Sequence, residues 1–155
     1  MHLEGSGGRV LELSIEGYQF GAIAAEAGGF DFDANWLVVA GRASDGTRDW
    51  SFRDPRLLTT EVRGLATWLD AVANEWRDLD PIDFIEPNLE FRRISAPAEP
   101  PVVRVAFRLE ARPPWAAEAA DEDEDGSWLE FEMSKEALDR AVRDLRNELR
   151  RYPER

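Results

Sequence analysis

An acidic run between residues 121 and 132 has the spacing of a calcium-binding loop. DEDEDG at 121–126 and a later glutamate would place oxygen ligands at Asp121, Asp123, Asp125 and Glu132, with glycine at the tight turn. Residues 128–133, however, alternate between apolar and polar, which predicts a strand where an EF-hand loop requires a helix. We therefore interpret the run as a solvated loop between strands, with a calcium-binding module at these four residues as an alternative.

Paired carboxylates could do acid–base chemistry. The best local pairs are Asp31 with Asp33 and Asp83 with Glu86, each near aromatic residues. Burial against aromatic side chains can raise the pKa of a carboxyl group and suit it to proton transfer. The competing interpretation is that such acids cap turns and are satisfied by backbone amides. With 32 acidic residues in the chain, the second interpretation is favoured, and a carboxylate-dependent hydrolase stays an alternative.

The other side chains used in catalysis are scarce. Cysteine is absent, which excludes thiol nucleophiles and cysteine-based zinc or iron–sulfur sites. His2 is the one histidine, in a terminus expected to fray, and Lys135 is the one lysine, directly after a predicted helix cap. No glycine-rich phosphate loop is present, because the glycines at 5–8 precede a strand. We expect a protein that is not an enzyme and uses no cofactor.

The charge balance points to a protein partner. The formal net charge is −13, and such a surface repels phosphate backbones, so we expect no nucleic-acid binding. Basic proteins or metal ions are its natural partners, and the competing interpretation is that the acidity serves solubility alone. The chain shows no signal peptide and no apolar run long enough to cross a membrane, so the expected location is the cytoplasm.

Hydrophobic periodicity predicts one α+β domain over residues 1–155. Alternating residues predict mostly antiparallel strands, and apolar residues spaced three or four apart predict two amphipathic helices that cover one face of a sheet. Asp54-Pro55 is typical of a helix start, and Trp76 is predicted to close that helix's apolar stripe. Ser134 is predicted to cap the second helix. The predicted order is β-β-β-α-β-β-β-α, with about six strands.

Several short strings occur together in a fixed order. They are FDANWL at 32–37, WSFRDP at 50–55, FIEPNL at 84–89, PPW at 113–115 and YPER at 152–155. In this order and spacing the chain resembles the WapI-type immunity protein family over essentially its whole length. The resemblance implies a small bacterial, cytoplasmic antitoxin that binds a polymorphic toxin domain and blocks it. It also implies a nuclease-type toxin, which would be basic because it must hold phosphate.

The partner contacts are predicted among acids and aromatic residues expected to be exposed, because interface anchors are often aromatic. Each has a competing structural role, such as turn formation or capping. The residues chosen are Asp33, Trp36, Glu86, Trp115, Asp121, Asp123 and Asp125.

Overall fold

The computed structural model describes residues 1–21, 31–76, 79–96, 99–116 and 127–155. Within these residues the chain forms seven strands and three α-helices. The strands are β1 (His2–Glu4), β2 (Arg9–Tyr18), β3 (Trp36–Asp45), β4 (Asp49–Leu58), β5 (Leu89–Arg93), β6 (Val102–Phe107) and β7 (Ser127–Glu132). The helices are α1 (Phe32–Asn35), α2 (Thr59–Ala73) and α3 (Lys135–Arg151), and short 3₁₀ turns occupy Ser6–Gly8, Leu109–Ala111 and Pro114–Ala116.

The strands are antiparallel and divide between two sheets. The first has the order β1-β2-β3-β4 and the second the order β5-β6-β7. The predicted α+β class with antiparallel strands is confirmed. The prediction of one sheet of about six strands is wrong in its pairing, because alternation identifies the buried face of a strand but not the strand beside it.

One cluster of buried side chains draws on both sheets and both long helices. The inward residues of β2 are those that alternation predicts: Leu11, Leu13 and Ile15. The two long helices contact each other, while α3 also contacts β1 and α2 also contacts β4. The apolar faces of both helices therefore close the same core. No α-helix in the described ranges is long and apolar enough to cross a membrane.

The start of α2 differs from its prediction. Asp54 and Pro55 belong to β4, with Pro55 opposite Val38 beside a register shift, and the helix begins at Thr59. Proline is compatible with this position because β4 is the outer strand of its described sheet and the position adjoins a register shift, the two places in a sheet where proline is usually found. Trp76 lies beyond the end of α2 with 64% of its surface exposed, so it does not close the core stripe.

The N-terminal residues are held rather than frayed. Strand β1 pairs with β2 and places fully buried Leu3 opposite Leu11. His2 Nδ1 lies 3.3 Å from Glu12 Oε1 on the exposed face. The expectation of a loose terminus around His2 is therefore wrong, because pairing with β2 and the burial of Met1 and Leu3 hold the segment against the core. At the other end, the Ser134 cap is confirmed: its Oγ accepts from Ala137 N at 3.2 Å.

Candidate functional site

An open cleft of about 440 Å³ is lined by residues of the first sheet and by turns that flank β5 and β6 of the second. Four carboxylates line it, and no arginine or lysine does among the described residues. The residues directly after β2, the α1–β3 junction, β4, the turn before β5 and the turn after β6 all contribute. The lining residues are Gln19, Phe20, Asp33, Trp36, Asp54, Glu86, Asn88 and Glu110. We call this site the acidic cleft.

The α1 wall is set by a capped single helical turn. Asp31 is the N-cap, and its Oδ1 accepts from Ala34 N at 3.1 Å. The turn buries Ala34 and Asn35, while Asp33 is exposed and Trp36 is half-buried at the start of β3. Local capping chemistry therefore directs Asp33 and Trp36 to the cleft.

Asn35 ties this wall to the rest of the protein. Its side-chain amide donates to Asp31 O at 2.8 Å and to Arg155 O at 2.9 Å. Its Oδ1 accepts from Thr59 Oγ1 at 2.8 Å and from Arg155 N at 3.0 Å. A fully buried amide needs such partners. Here both N–H groups of the Asn35 side chain donate, and its one oxygen accepts two hydrogen bonds. This anchoring role of Asn35 was not predicted from the sequence. The only indication of it was that a polar residue stands between two apolar ones, at positions 34 and 36.

Residues 152–155, here called the C-terminal strap, cross from Asn35 to the end of β2. Tyr18 donates from its hydroxyl to Pro153 O, and Tyr152 donates to Glu16 O at 3.3 Å. The Arg155 guanidinium lies 3.3 Å from the centre of the Tyr18 ring. Tyr18 directly precedes the cleft residues 19 and 20. The strap therefore fixes two walls of the acidic cleft at once.

The opposite wall is a turn locked by Asn88. Its buried side chain donates to Glu110 Oε2 at 2.8 Å, and its backbone N–H donates to Glu86 O at 2.8 Å. The Arg108 N–H in turn donates to Asn88 O at 2.8 Å. The turn interpretation of the 86–88 string is thus consistent with its hydrogen bonds, and the same turn places Glu86 in the cleft.

Glu61 joins this wall to the start of α2. Its two carboxylate oxygens accept from Leu58 N at 2.8 Å and Ile85 N at 2.7 Å. The first bond caps the helix, and the second holds the residue immediately before Glu86. One side chain therefore both begins a helix and positions the turn that lines the cleft.

Leu109 stands in an unfavourable backbone conformation beside the cleft. Its φ is +48°, a region in which a leucine costs about 1–2 kcal/mol. It is also 53% exposed and directly precedes the lining residue Glu110. Arg108 N–H bonding to Asn88 and Ala111 N–H bonding to Arg108 O, at 2.9 Å, hold the turn in place.

The acids predicted for acid–base chemistry are distributed differently in the structure. Neither carboxylate pair predicted for a hydrolase lies complete in the cleft lining, since Asp31 caps α1 and Asp83 does not line the cleft. Instead one member of each pair, Asp33 and Glu86, meets in the cleft, and both are exposed to solvent. Open carboxylates suit hydrogen bonding to a cationic group.

Trp115 lies outside the acidic cleft. Its ring packs edge-to-face on Trp50 with centroids 5.6 Å apart, and the Arg48 guanidinium lies 4.1 Å from its ring centre. It lines a separate pocket of about 230 Å³ with Trp50 and Trp128. The structure therefore brings Asp33, Trp36 and Glu86 together and leaves Trp115 apart.

Of the four residues predicted for the alternative calcium-binding module, the structure describes only the last, Glu132. Asp121, Asp123 and Asp125 lie outside the described residues. Glu132 ends β7 opposite Val102, and the next helix begins at Lys135, so the chain leaves the acidic run through a strand. An EF-hand loop leaves into a helix. Across the described ranges, no group of three or more histidine or acidic side chains could hold a metal ion.

Comparison with known proteins identifies a family. The model of the immunity protein WapI-like family matches residues 2–153 of the chain. Neither the curated proteins nor the solved structures contain a match. The matched range includes every described residue that lines the acidic cleft, and all but the last two residues of the strap.

Proposed function

The chain belongs to the immunity protein WapI-like family, and from that premise we propose that it is a non-catalytic bacterial antitoxin that acts in the cytoplasm. It neutralises a cognate toxin domain by binding it directly. Residues 1–155 act as one binding domain, which the shared core of both sheets and both long helices supports.

The toxin we propose is basic and of nuclease type. A nuclease must hold phosphate and so carries arginine and lysine at its active site. The formal net charge of −13 on this chain would steer such a partner into fast encounter. The same charge disfavours direct contact with nucleic acid, so the protein would bind the enzyme and not its substrate.

We propose the acidic cleft as the main contact surface. The observation that carries this is the meeting of Asp33, Trp36 and Glu86, which come from two well-separated strings of the chain, in one cleft without a basic residue in its described lining. Trp115 and the acids at 121, 123 and 125 would contribute a second, peripheral contact.

The test uses the toxin domain encoded nearest to the gene. We expect tight binding by calorimetry, protection of cells that express the toxin, and dissociation at high salt. The double variant Asp33→Lys/Glu86→Lys should weaken binding by at least about 100-fold, since hydrogen bonds to charged groups contribute roughly 1.5–3 kcal/mol each.

The matched control reverses two acids on another surface, Glu4→Lys/Glu12→Lys. Both lie on the exposed face of β1 and β2, and the change in net charge is the same. We expect the control to slow association while leaving the dissociation rate near that of the wild type. Equal losses in both variants would mean that charge alone, and not the cleft, governs binding. No binding by the wild-type chain would contradict the proposed role.

A further inference from the structure

A second groove, of about 650 Å³, runs along α2 and shares no described lining residue with the acidic cleft. One wall is a stripe of small residues on α2 that lie three or four positions apart and therefore share one face of the helix. They are Thr60, Gly64, Thr67 and Ala71. The opposite wall is the segment 79–82, which is mostly apolar. We call this site the α2 groove.

Trp76 lines the groove near Ala71, although 64% of its surface is exposed. Its position follows from the way α2 ends. Trp76 N–H donates to Ala71 O at 3.1 Å and Glu75 N–H donates to Val72 O at 3.2 Å, which is a Schellman ending. Glu75 has a φ of +58°, the left-handed conformation that this ending requires and that favours glycine. An exposed tryptophan held in place beside an apolar groove is typical of an interaction surface.

The described residues 80–82 on the opposite wall offer few main-chain groups to a partner. The Asp80 carbonyl accepts from the Trp68 indole N–H at 2.8 Å, and Pro81 has no N–H. Ile82 N–H and C=O are both bonded to Phe91, at 2.9 Å each. An extended segment docks by pairing its backbone with an open strand edge, which these three residues do not present. A helix satisfies its own backbone and docks through side chains, so a helix is the segment that fits this groove.

The charges of the groove indicate what that helix carries. Two charged side chains are among the described lining residues, Arg63 and Asp80. Arg63 Nη2 lies 2.8 Å from Glu154 Oε2 and is neutralised by it. No described residue bonds to the carboxylate of Asp80, which is exposed. An unpaired carboxylate beside an apolar groove favours a cation on the partner.

We propose that the α2 groove docks an amphipathic helix of the toxin domain. Its apolar side chains pack on the small stripe and against Trp76, and an arginine or lysine at its edge reaches Asp80. The stripe rises about 16 Å over three turns of α2, and its small side chains let two helix axes approach to about 8 Å. The inference rests on the proposed function and adds a contact surface separate from the acidic cleft.

Photo-cross-linking identifies the occupant in the complex of the full chain with the toxin domain encoded nearest to the gene. The photo-reactive amino acid p-benzoylphenylalanine replaces Thr60, Thr67 or Trp76, one at a time, and mass spectrometry locates the labelled toxin residues. We expect all three positions to label one continuous toxin segment, at residues that share one helical face. Labels at alternate residues would indicate an extended segment, and labels scattered over the toxin would indicate no defined partner segment. Either result would overturn the inference.

Binding measurements on variants test the individual contacts. Trp76→Ala should weaken toxin binding by at least about tenfold, because an aromatic anchor is removed. Thr67→Glu should weaken it by a similar factor, because a charge is placed in the middle of the apolar stripe. Both positions are exposed, so both variants should fold. The matched controls are Trp128→Ala and Ser51→Glu, at exposed positions of β7 and β4, and both should bind within about twofold of the wild type.

This inference and the proposed function fail in different ways. If the wild-type chain binds the toxin and the groove variants bind as tightly as their controls, the inference is overturned and the immunity role stands. If the wild-type chain does not bind the toxin, both are overturned. Weaker binding in the groove variants without any loss in Asp33→Lys/Glu86→Lys would support the α2 groove and contradict the acidic cleft as the main contact surface.

Discussion

Removing the Asn35 side chain should destabilise the protein far more than removing an exposed asparagine. The Asn35→Ala change deletes four hydrogen bonds, to Asp31 O, Thr59 Oγ1, and the N–H and C=O of Arg155. Thr59 is fully buried, so its hydroxyl would lose its partner without access to water. The exposed Arg155 can recover part of its bonding from solvent.

The magnitude follows from these bonds. A typical intramolecular hydrogen bond contributes about 1 kcal/mol net, and a buried group left without a partner costs about 1–3 kcal/mol. Four lost bonds, partly recovered at the strap, give an expected loss of roughly 2–4 kcal/mol in the free energy of unfolding. The Thr59→Val variant removes one of the four and should cost about 1 kcal/mol.

Urea unfolding followed by tryptophan fluorescence measures both losses. The control is Asn74→Ala, which deletes the same amide at an exposed helix end where it bonds only to Asp70 among described residues, and should change stability by no more than about 0.5 kcal/mol. If Asn35→Ala proved as mild as Asn74→Ala, the view that Asn35 joins three parts of the fold would be refuted.

Two further perturbations test the first sheet. The Gly41→Ala change should destabilise the protein by roughly 1–3 kcal/mol, measured by urea unfolding, because an added Cβ would overlap the buried Phe52 ring. At Asp45, hydrogen bonds from the Arg48 and then the Thr47 backbone N–H hold the pKa of the carboxyl below its ordinary value. Its contribution to stability is therefore present above about pH 4 and is lost as the pH falls through the lowered pKa, which thermal unfolding between pH 2 and 6 measures.

The Gly41 and Asp45 predictions each have a control variant. Gly17→Ala adds the same methyl group to β2, where no atom of the described residues apart from its chain neighbours lies within 4 Å of the added carbon, so a loss as large as that of Gly41→Ala would remove the overlap argument. Asp45→Asn cannot ionise and should lose only the Asp45 part of the pH dependence. An unchanged pH profile in Asp45→Asn would show that the turn carboxylate does not contribute.

The fold could be predicted where local pattern decides the structure. Alternation identified the inward residues of β7, Leu129 and Phe131, and the capping chemistry of Ser134 fixed the start of α3. Asp54-Pro55 was wrongly predicted to begin a helix. The same pair of residues also fits an outer strand, and only its pairing with the neighbouring strand β3 distinguishes the two structures. Pairing into two sheets likewise depends on contacts that no local window contains.

The candidate site was harder to predict for the same reason. Exposed acids and aromatic residues can be chosen from the sequence, and Asp33, Trp36 and Glu86 share the cleft. Their meeting requires a long-range arrangement held by Asn35 and Asn88, two buried amides whose partners lie far along the chain. Polar residues that act through backbone groups of distant segments leave almost no periodic signal.

The strap contacts have a consequence for how such a protein can diversify. Asn35 holds Arg155 through backbone atoms, and Tyr18 likewise bonds the backbone of Pro153. The scaffold therefore depends on a few buried amides and on main-chain groups, whereas Asp33 and Glu86, which are exposed in the cleft, are not among the core residues. We expect that these exposed lining residues can be exchanged to follow a changing toxin while Asn35 and Asn88 stay fixed. Recognition and folding would then evolve on separate sets of positions.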